Sequence, residues 1–393
     1  MKKILASLLL IFSISALFAE SQIINFIKGN INDKTLAVRE ASGEDAKWLS
    51  NQALAFIIQN KKILGNDRDL EALAVAAIIS ITPENLKSLS VNDKNFLVEE
   101  LIQLFDLFED SNTVQISIIS KFIAIKEEIN ITPVISLLNS YIEDYDLKSN
   151  KNSVAKSVLS ALQVIGTEES FNHVYKLWND PKSENIKNDL QNTLIALIPL
   201  SMTEVLNIVH KDNIKDLSNI FYLVFDLSIK NPKFSTNSLC EIAENVLNES
   251  IIIIENSSKI TSELISIQLD AIKILNENKW TRASSLALTF FNVAQKEYEA
   301  GLISEDDFSY VIESLLNLAP IYAVSPLTGY LEVLNNQKEN NADVSTVVIL
   351  SVINTLGAIG DKSAFDSLLA TTLLFYPEEV LTAARNALSG LRW

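Results

Sequence analysis

The sequence predicts an all-α protein, an α-solenoid of about eight or nine stacked helix pairs, and three observations carry that expectation. Apolar residues recur at spacings of three and four along nearly the whole 393-residue chain, which is the period of an amphipathic helix. Glycine and proline number 9 and 8, too few for the turns of an all-β sandwich or barrel. Hydrophobic residues make up 48% and charged residues 21%, so the chain can bury a core and is not a disordered polymer. Its length also exceeds the roughly 250–300 residues at which single cores stop growing, which favours stacked repeats.

The first residues read as a secretory signal peptide. Lys2 and Lys3 are followed by the apolar run Ile4–Phe18, broken only by serines, and then by Ala19 ahead of the acidic Glu20. The run has 15 residues, short of the roughly 18–20 that span a bilayer. Cleavage is expected after Ala19, giving a mature chain of 20–393 in the periplasm or outside the cell; an uncleaved anchor helix is the alternative. No cysteine adjoins Ala19, which excludes a lipid-modified N-terminal cysteine. Later apolar runs are interrupted by Pro199 or Asp226, or are as short as Ile251–Ile254, so no integral span is expected. Losing Lys2 and Lys3 leaves 30 basic against 49 acidic side chains, net −19. That charge argues against a nucleic-acid partner.

The breaks between helices use recognisable punctuation. Thr82-Pro83 and Thr132-Pro133 each place a capping hydroxyl before a proline at the first helical position. Gly166 and Gly360 stand where a helix is expected to end in a left-handed residue. Val154, Val158, Ala161, Leu162 and Ile165 form one apolar stripe, and Ile251–Ile254, flanked by Glu249 and Glu255, reads as a buried helical turn. The polar connectors at 147–153, 179–188, 256–261 and 335–343 have the length of links between packed helices, not between domains.

The helices also repeat. Displaced by 194 positions, Val154–Phe171 and Val348–Phe365 share seven identities in eighteen, including Val158 with Val352, Leu162 with Leu356 and Gly166 with Gly360. Each unit reads as a helix, a glycine stop, a polar cap at Thr167 or Asp361, and a second helix. A pair of about 40 residues cannot cover its own apolar face, whereas stacked pairs bury a continuous core. Small residues such as Ala161, Gly357, Ala383 and Ala387 let neighbouring helices approach.

The stretch Val347–Leu391 resembles bacterial HEAT-like repeats. Its turn Thr355-Leu356-Gly357-Ala358-Ile359-Gly360-Asp361, with Ala364 following, matches the family pattern, and Pro377-Glu378-Glu379-Val380 with Ala383–Leu388 begins the next unit. The clearest repeats are 152–198 and 342–391. Leu381 stands where the family usually has arginine, and Thr167 where it has aspartate. The resemblance implies a superhelical solenoid whose Val-led helices line a concave surface; it names no activity.

Little in the sequence points to catalysis. The two histidines, His173 and His210, lie apart on expected helices, without the His-x-x-x-His or Glu-x-x-His spacing of a zinc site. Cys240, unpaired, reads as a small buried hydrophobe. The group Glu143, Asp144 and Asp146 lacks the glycine and closing glutamate of a calcium loop. Glu99, Glu100, Asp106, Glu109 and Asp110 read as the wet face of a helix, and Trp48, Trp178, Trp280 and Trp393 as separate core or interface residues. The expectation is a non-catalytic extracytoplasmic scaffold or adaptor without a cofactor, binding a protein or envelope partner on its concave face. Lys156, Gln163, Asn354 and Arg385, off the apolar stripe, are the expected contact residues. The alternatives are a structural subunit of an envelope complex and a carboxylate-dependent hydrolase or lyase.

Overall fold

A computed structural model describes residues 22–145, 152–211, 213–256 and 260–392. The expected signal peptide, Asp146 and Trp393 lie outside them. Among the described residues the chain is helical between its connections, with one isolated bridge, Asp361 to Arg392, and no strand. No single helix among them is long and apolar enough to cross a membrane. The chain divides after Ser201 into two compact units.

Unit 1 contains α1 (22–28), α2 (Ile31–Glu40), α3 (Gly43–Leu64), α4 (Arg68–Ser80), α5 (Pro83–Lys87), α6 (Val91–Leu107), α7 (Asn112–Ile125), α8 (Thr132–Glu143), α9 (Asn152–Ile165), α10 (Glu168–Trp178) and α11 (Lys187–Leu197). Helices α2, α4, α7, α9 and α11 pack one on the next as a row. A second row runs α3, α6, α8, α10, and sequence neighbours such as α3 with α4 and α8 with α9 join the two.

Unit 2 contains α12 (Met202–Val209), α13 (Ile214–Lys230), α14 (Thr236–Asn256), α15 (Ser262–Glu277), α16 (Ser284–Glu299), α17 (Glu305–Leu318), α18 (Val324–Glu339), α19 (Thr346–Ile359), α20 (Phe365–Thr372) and α21 (Glu378–Ser389). One row is α13, α15, α17, α19, α21, with α14 on α16 and α18 on α20 opposite it. Each unit is therefore a local stack of helix pairs, the nearest-neighbour pattern expected of them.

Local chemistry sets the helix ends. Asn30 and Asp33 form a reciprocal capping box opening α2, with both bonds at 3.0 Å. The Thr82 hydroxyl accepts from the Asn85 N–H with Pro83 in the first turn, as the sequence predicts. At the second Thr-Pro the expectation fails. Helix α8 begins at Thr132 itself, after Ile131 in the helical region, with no side-chain cap; the Asn130 side chain accepts the Thr132 N–H at 3.2 Å in the turn before it. Gly360 ends α19 in the left-handed region, at φ +72°, and donates to the Leu356 carbonyl. Gly166 does not adopt positive φ. It is needed for room instead: a Cβ there would stand 2.4 Å from the Leu162 carbonyl oxygen and 2.8 Å from Leu197 Cδ2 of α11.

The repeat read from sequence is also a repeat in structure. Helices α9 and α19 are the same 14-residue span displaced by 194 positions. Val154, Val158 and Leu162 of α9, and Val348, Val352 and Leu356 of α19, are all buried. Ile251–Ile254 lies within α14, and Cys240 is fully buried in the same helix. In unit 2 the Phe291, Phe308, Tyr298 and Tyr330 rings meet at centroid distances of 5.0–5.9 Å and join α16, α17 and α18.

One charged side chain breaks the apolar pattern of α16. Glu297 continues the buried stripe of Ala287, Phe290, Phe291 and Ala294 on α16, is 2% exposed, and neither carboxylate oxygen has a hydrogen-bond partner. Burial pushes its carboxyl up to about 7 from the ordinary 4.5. The folded state thus resists ionisation more than the unfolded chain does. This contribution to stability is intact below about pH 4.5 and is lost as pH rises through about 7. Glu297→Gln is expected to flatten that dependence and to be more stable than the parent by about 3 kcal/mol at alkaline pH. Urea unfolding of unit 2 helices on either side of neutrality checks it; parallel pH profiles for the two proteins would overturn the assignment.

Candidate functional site

The residues expected to meet a partner divide by what surrounds them. On α9, Lys156 is exposed, and its Nζ lies 3.4 Å from Asp189 of α11. Two turns on, Gln163 Nε2 donates at 3.1 Å to the hydroxyl of Thr193, a fully buried residue of the same α11. Thr193 in turn donates to the Asp189 carbonyl at 2.8 Å. These two side chains face solvent at their edges but fasten one helix to the next in the row.

Asn354 and Arg385 lie in unit 2, around an open groove between α19 and α21. The groove, of about 630 Å³, is lined by Asn354, Glu378, Glu379, Thr382, Asn386 and a floor that includes Gly357 and Ala387. The floor exists because both helices carry small residues where they cross: a Cβ on Gly357 would stand 2.8 Å from that of Ala387. Arg385 sits outside the lining, its Nη1 2.9 Å from Glu378 Oε1. Glu378 and Glu379 occupy the first turn of α21, where carboxylates are favoured by the helix dipole. Asn354, Glu379 and Asn386 make no side-chain hydrogen bond or ion pair among the described residues. The sequence reading missed Glu378, Glu379, Thr382 and Asn386. Their spacing, opposite the buried stripe Val380, Ala384 and Ala387, was the signal available.

Charged residues of the other row are used between helices. Lys61, 6% exposed, donates to Asp110 at 3.3 Å and to the Gly65 carbonyl, and lies over the Phe108 ring. Lys94 meets Glu128 at 3.2 Å. His173 Nδ1 stands 3.8 Å from Glu143, and His210 Nδ1 3.1 Å from Glu249, so both histidines join helices two places apart. Glu244 accepts from Trp280 Nε1 and Arg282 Nε at 2.7 and 2.8 Å. In the expected wet face of α6 and the turn after it, Glu100 is half-buried, and burial raises its carboxyl. Burial likewise pushes the Cys240 thiol up, away from the reactive thiolate. Among the described residues no three His, Cys, Asp or Glu converge to hold a metal ion.

The groove floor yields a prediction that runs against helix propensity. Alanine is ordinarily better than glycine inside a helix by up to about 1 kcal/mol. At Gly357 the added methyl meets Ala387, so Gly357→Ala is expected to destabilise by about 1–3 kcal/mol through overpacking. Gly329, in α18, has open space where a Cβ would go, and Gly329→Ala is expected to stabilise. Thermal unfolding of the two variants tests the pair; the same sign for both would mean that α19 and α21 do not approach as described.

Compared with known proteins, the chain matches no family model and no curated protein, so its function has to be argued from these residues.

Proposed function

We propose that the protein is a non-catalytic extracytoplasmic adaptor, a HEAT-like α-solenoid that binds a protein or envelope component on the exposed face of α19 and α21. The observation that carries this reading is the groove between α19 and α21. Its walls offer the Asn354 and Asn386 amides and the Glu379 carboxylate, none of them engaged within the described chain, beside a Thr382 hydroxyl 3.4 Å from Glu378. Open, polar-walled surfaces on a rigid helical stack suit recognition of another macromolecule better than enclosure of a small reactant.

Location outside the cytoplasm rests on the order of residues 1–19: a positive start, an apolar run and a small residue before Glu20. The mature protein is expected to begin at Glu20. N-terminal sequencing of the extracytoplasmic protein checks this, and recovery of intact Met1 in the membrane fraction would indicate an anchor instead.

The binding surface is tested by a photo-cross-linking residue at Thr382, with the same residue at Gly329 as a control, in the native envelope. A defined adduct is expected from Thr382 alone, and it should weaken when Asn354→Arg fills the groove. Arg385→Glu is expected to change stability by less than about 1 kcal/mol, because its ion pair is exposed, and to reduce the adduct by placing a third carboxylate beside Glu378 and Glu379. Identical adducts from both positions, or none, would move the partner surface elsewhere.

A further inference from the structure

We propose that the cavity of unit 1 is a binding site for a small zwitterion with an apolar body, an aliphatic or aromatic amino acid or a short peptide of such residues. The cavity, of about 460 Å³, opens between the α2–α3 connection and the α4–α5 connection. Its volume falls in the range of small-ligand sites, about 300–1,000 Å³.

The lining separates by chemistry. Val38, Ala46 and Ala76 are 1%, 6% and 4% exposed and give an apolar base, with Ile79, 64% exposed, standing at the mouth. Gly43 opens α3 beside them at φ +61°, with no atom within 4 Å of where a Cβ would stand, so no side chain enters from that position. Such a base accepts an aliphatic or aromatic side chain, while Ser42, Ser80, Thr82 and Asn85 add hydroxyl and amide groups to the rest of the lining.

Two charges of opposite sign share the same lining. Arg39, in the last turn of α2, and Glu84, in the first turn of α5, are both exposed. Neither makes a hydrogen bond or an ion pair among the described residues, with each other or with any neighbour. Of the charges nearby, Glu44 lies 3.8 Å from Lys47, which also reaches Ser88. A purely anionic ligand would satisfy Arg39 but meet Glu84, and a cation the reverse. A ligand carrying a carboxylate and an ammonium group answers both, and the apolar base takes its side chain. Guanidinium–carboxylate pairing is directional and two-pronged, so Arg39 would fix the orientation. This site lies in a different unit from the α19–α21 groove and does not depend on it.

Binding of L-leucine, L-phenylalanine and dileucine to the full chain is measured by calorimetry at concentrations that reach millimolar sites. Two analogues of leucine separate the charges: N-acetyl-leucine lacks the ammonium group, and leucinamide lacks the carboxylate. At least one zwitterion is expected to bind, and both leucine analogues should bind at least tenfold more weakly than leucine. Arg39→Gln should weaken leucine about tenfold while leaving leucinamide unchanged. Glu84→Gln should do the same for leucine and leave N-acetyl-leucine unchanged. Both substitutions are at exposed positions, and an unaltered far-UV spectrum establishes that each variant folds. No binding of any zwitterion, equal binding of leucine and its analogues, or leucine binding indifferent to both substitutions would each overturn the proposal.

Discussion

Burial of each helix's apolar stripe against the helices one to three places along the chain is the constraint on which both units depend. A single amphipathic helix leaves that stripe in water, and a pair still leaves one side of it uncovered. Stacking solves the problem only where backbones can come close. In unit 2 the crossing of α19 and α21 is made possible by Gly357 against Ala387, and in unit 1 the end of α9 admits Leu197 because Gly166 has no side chain. Large aromatic side chains fill the wider gaps, as Phe291, Phe308 and Tyr330 do between α16, α17 and α18.

Polar side chains then divide between joining the stack and facing outward. Asn276 illustrates the first use: it donates to the Tyr310 hydroxyl at 3.0 Å and accepts from Asn317 at 2.9 Å, linking α15 to α17. Tyr222 reaches Asp270 at 2.8 Å from α13 to α15 in the same way. The buried Asn335 amide does the same, bonding both the Ser367 carbonyl and the Thr371 hydroxyl. Exposed pairs of this kind contribute little stability each. Their value is in register, since each fixes which turn of one helix lies beside which turn of the next.

Much of the fold was legible because the stripe itself is written in the residues. The displacement of 194 between α9 and α19 followed from identities at buried positions, where packing limits the choice of side chain. Helix ends were less legible, because neighbouring polar groups compete to cap. Thr132 is the first helical residue of α8 and caps nothing, although the Thr-Pro pair looked the same as the one at Thr82. Glycines shared a sequence signature but not a reason, Gly360 serving φ and Gly166 serving space. The candidate site was the least legible part. Lys156 and Gln163 are off the stripe, as expected of contact residues, yet their partners on α11 are about 30 positions away and invisible to a local reading. The groove needs α21 beside α19, and Arg39 meets the same cavity as Glu84 only once α2 and α5 are brought together.

The short reach of these contacts also bears on how the chain comes to be folded. Among the described residues side-chain bridges reach as far as the 49 positions from Lys61 to Asp110, and each row is closed by helices two or three places apart. Loop-closure costs of that size are modest, and topologies built from near neighbours fold quickly. A chain delivered from its N-terminus can therefore complete each pair as the next one emerges, with no early segment waiting for a late one. Exposure of apolar stripes to wrong partners is brief within each unit, and an interruption of synthesis inside a unit would leave fewer helix pairs with one uncovered end.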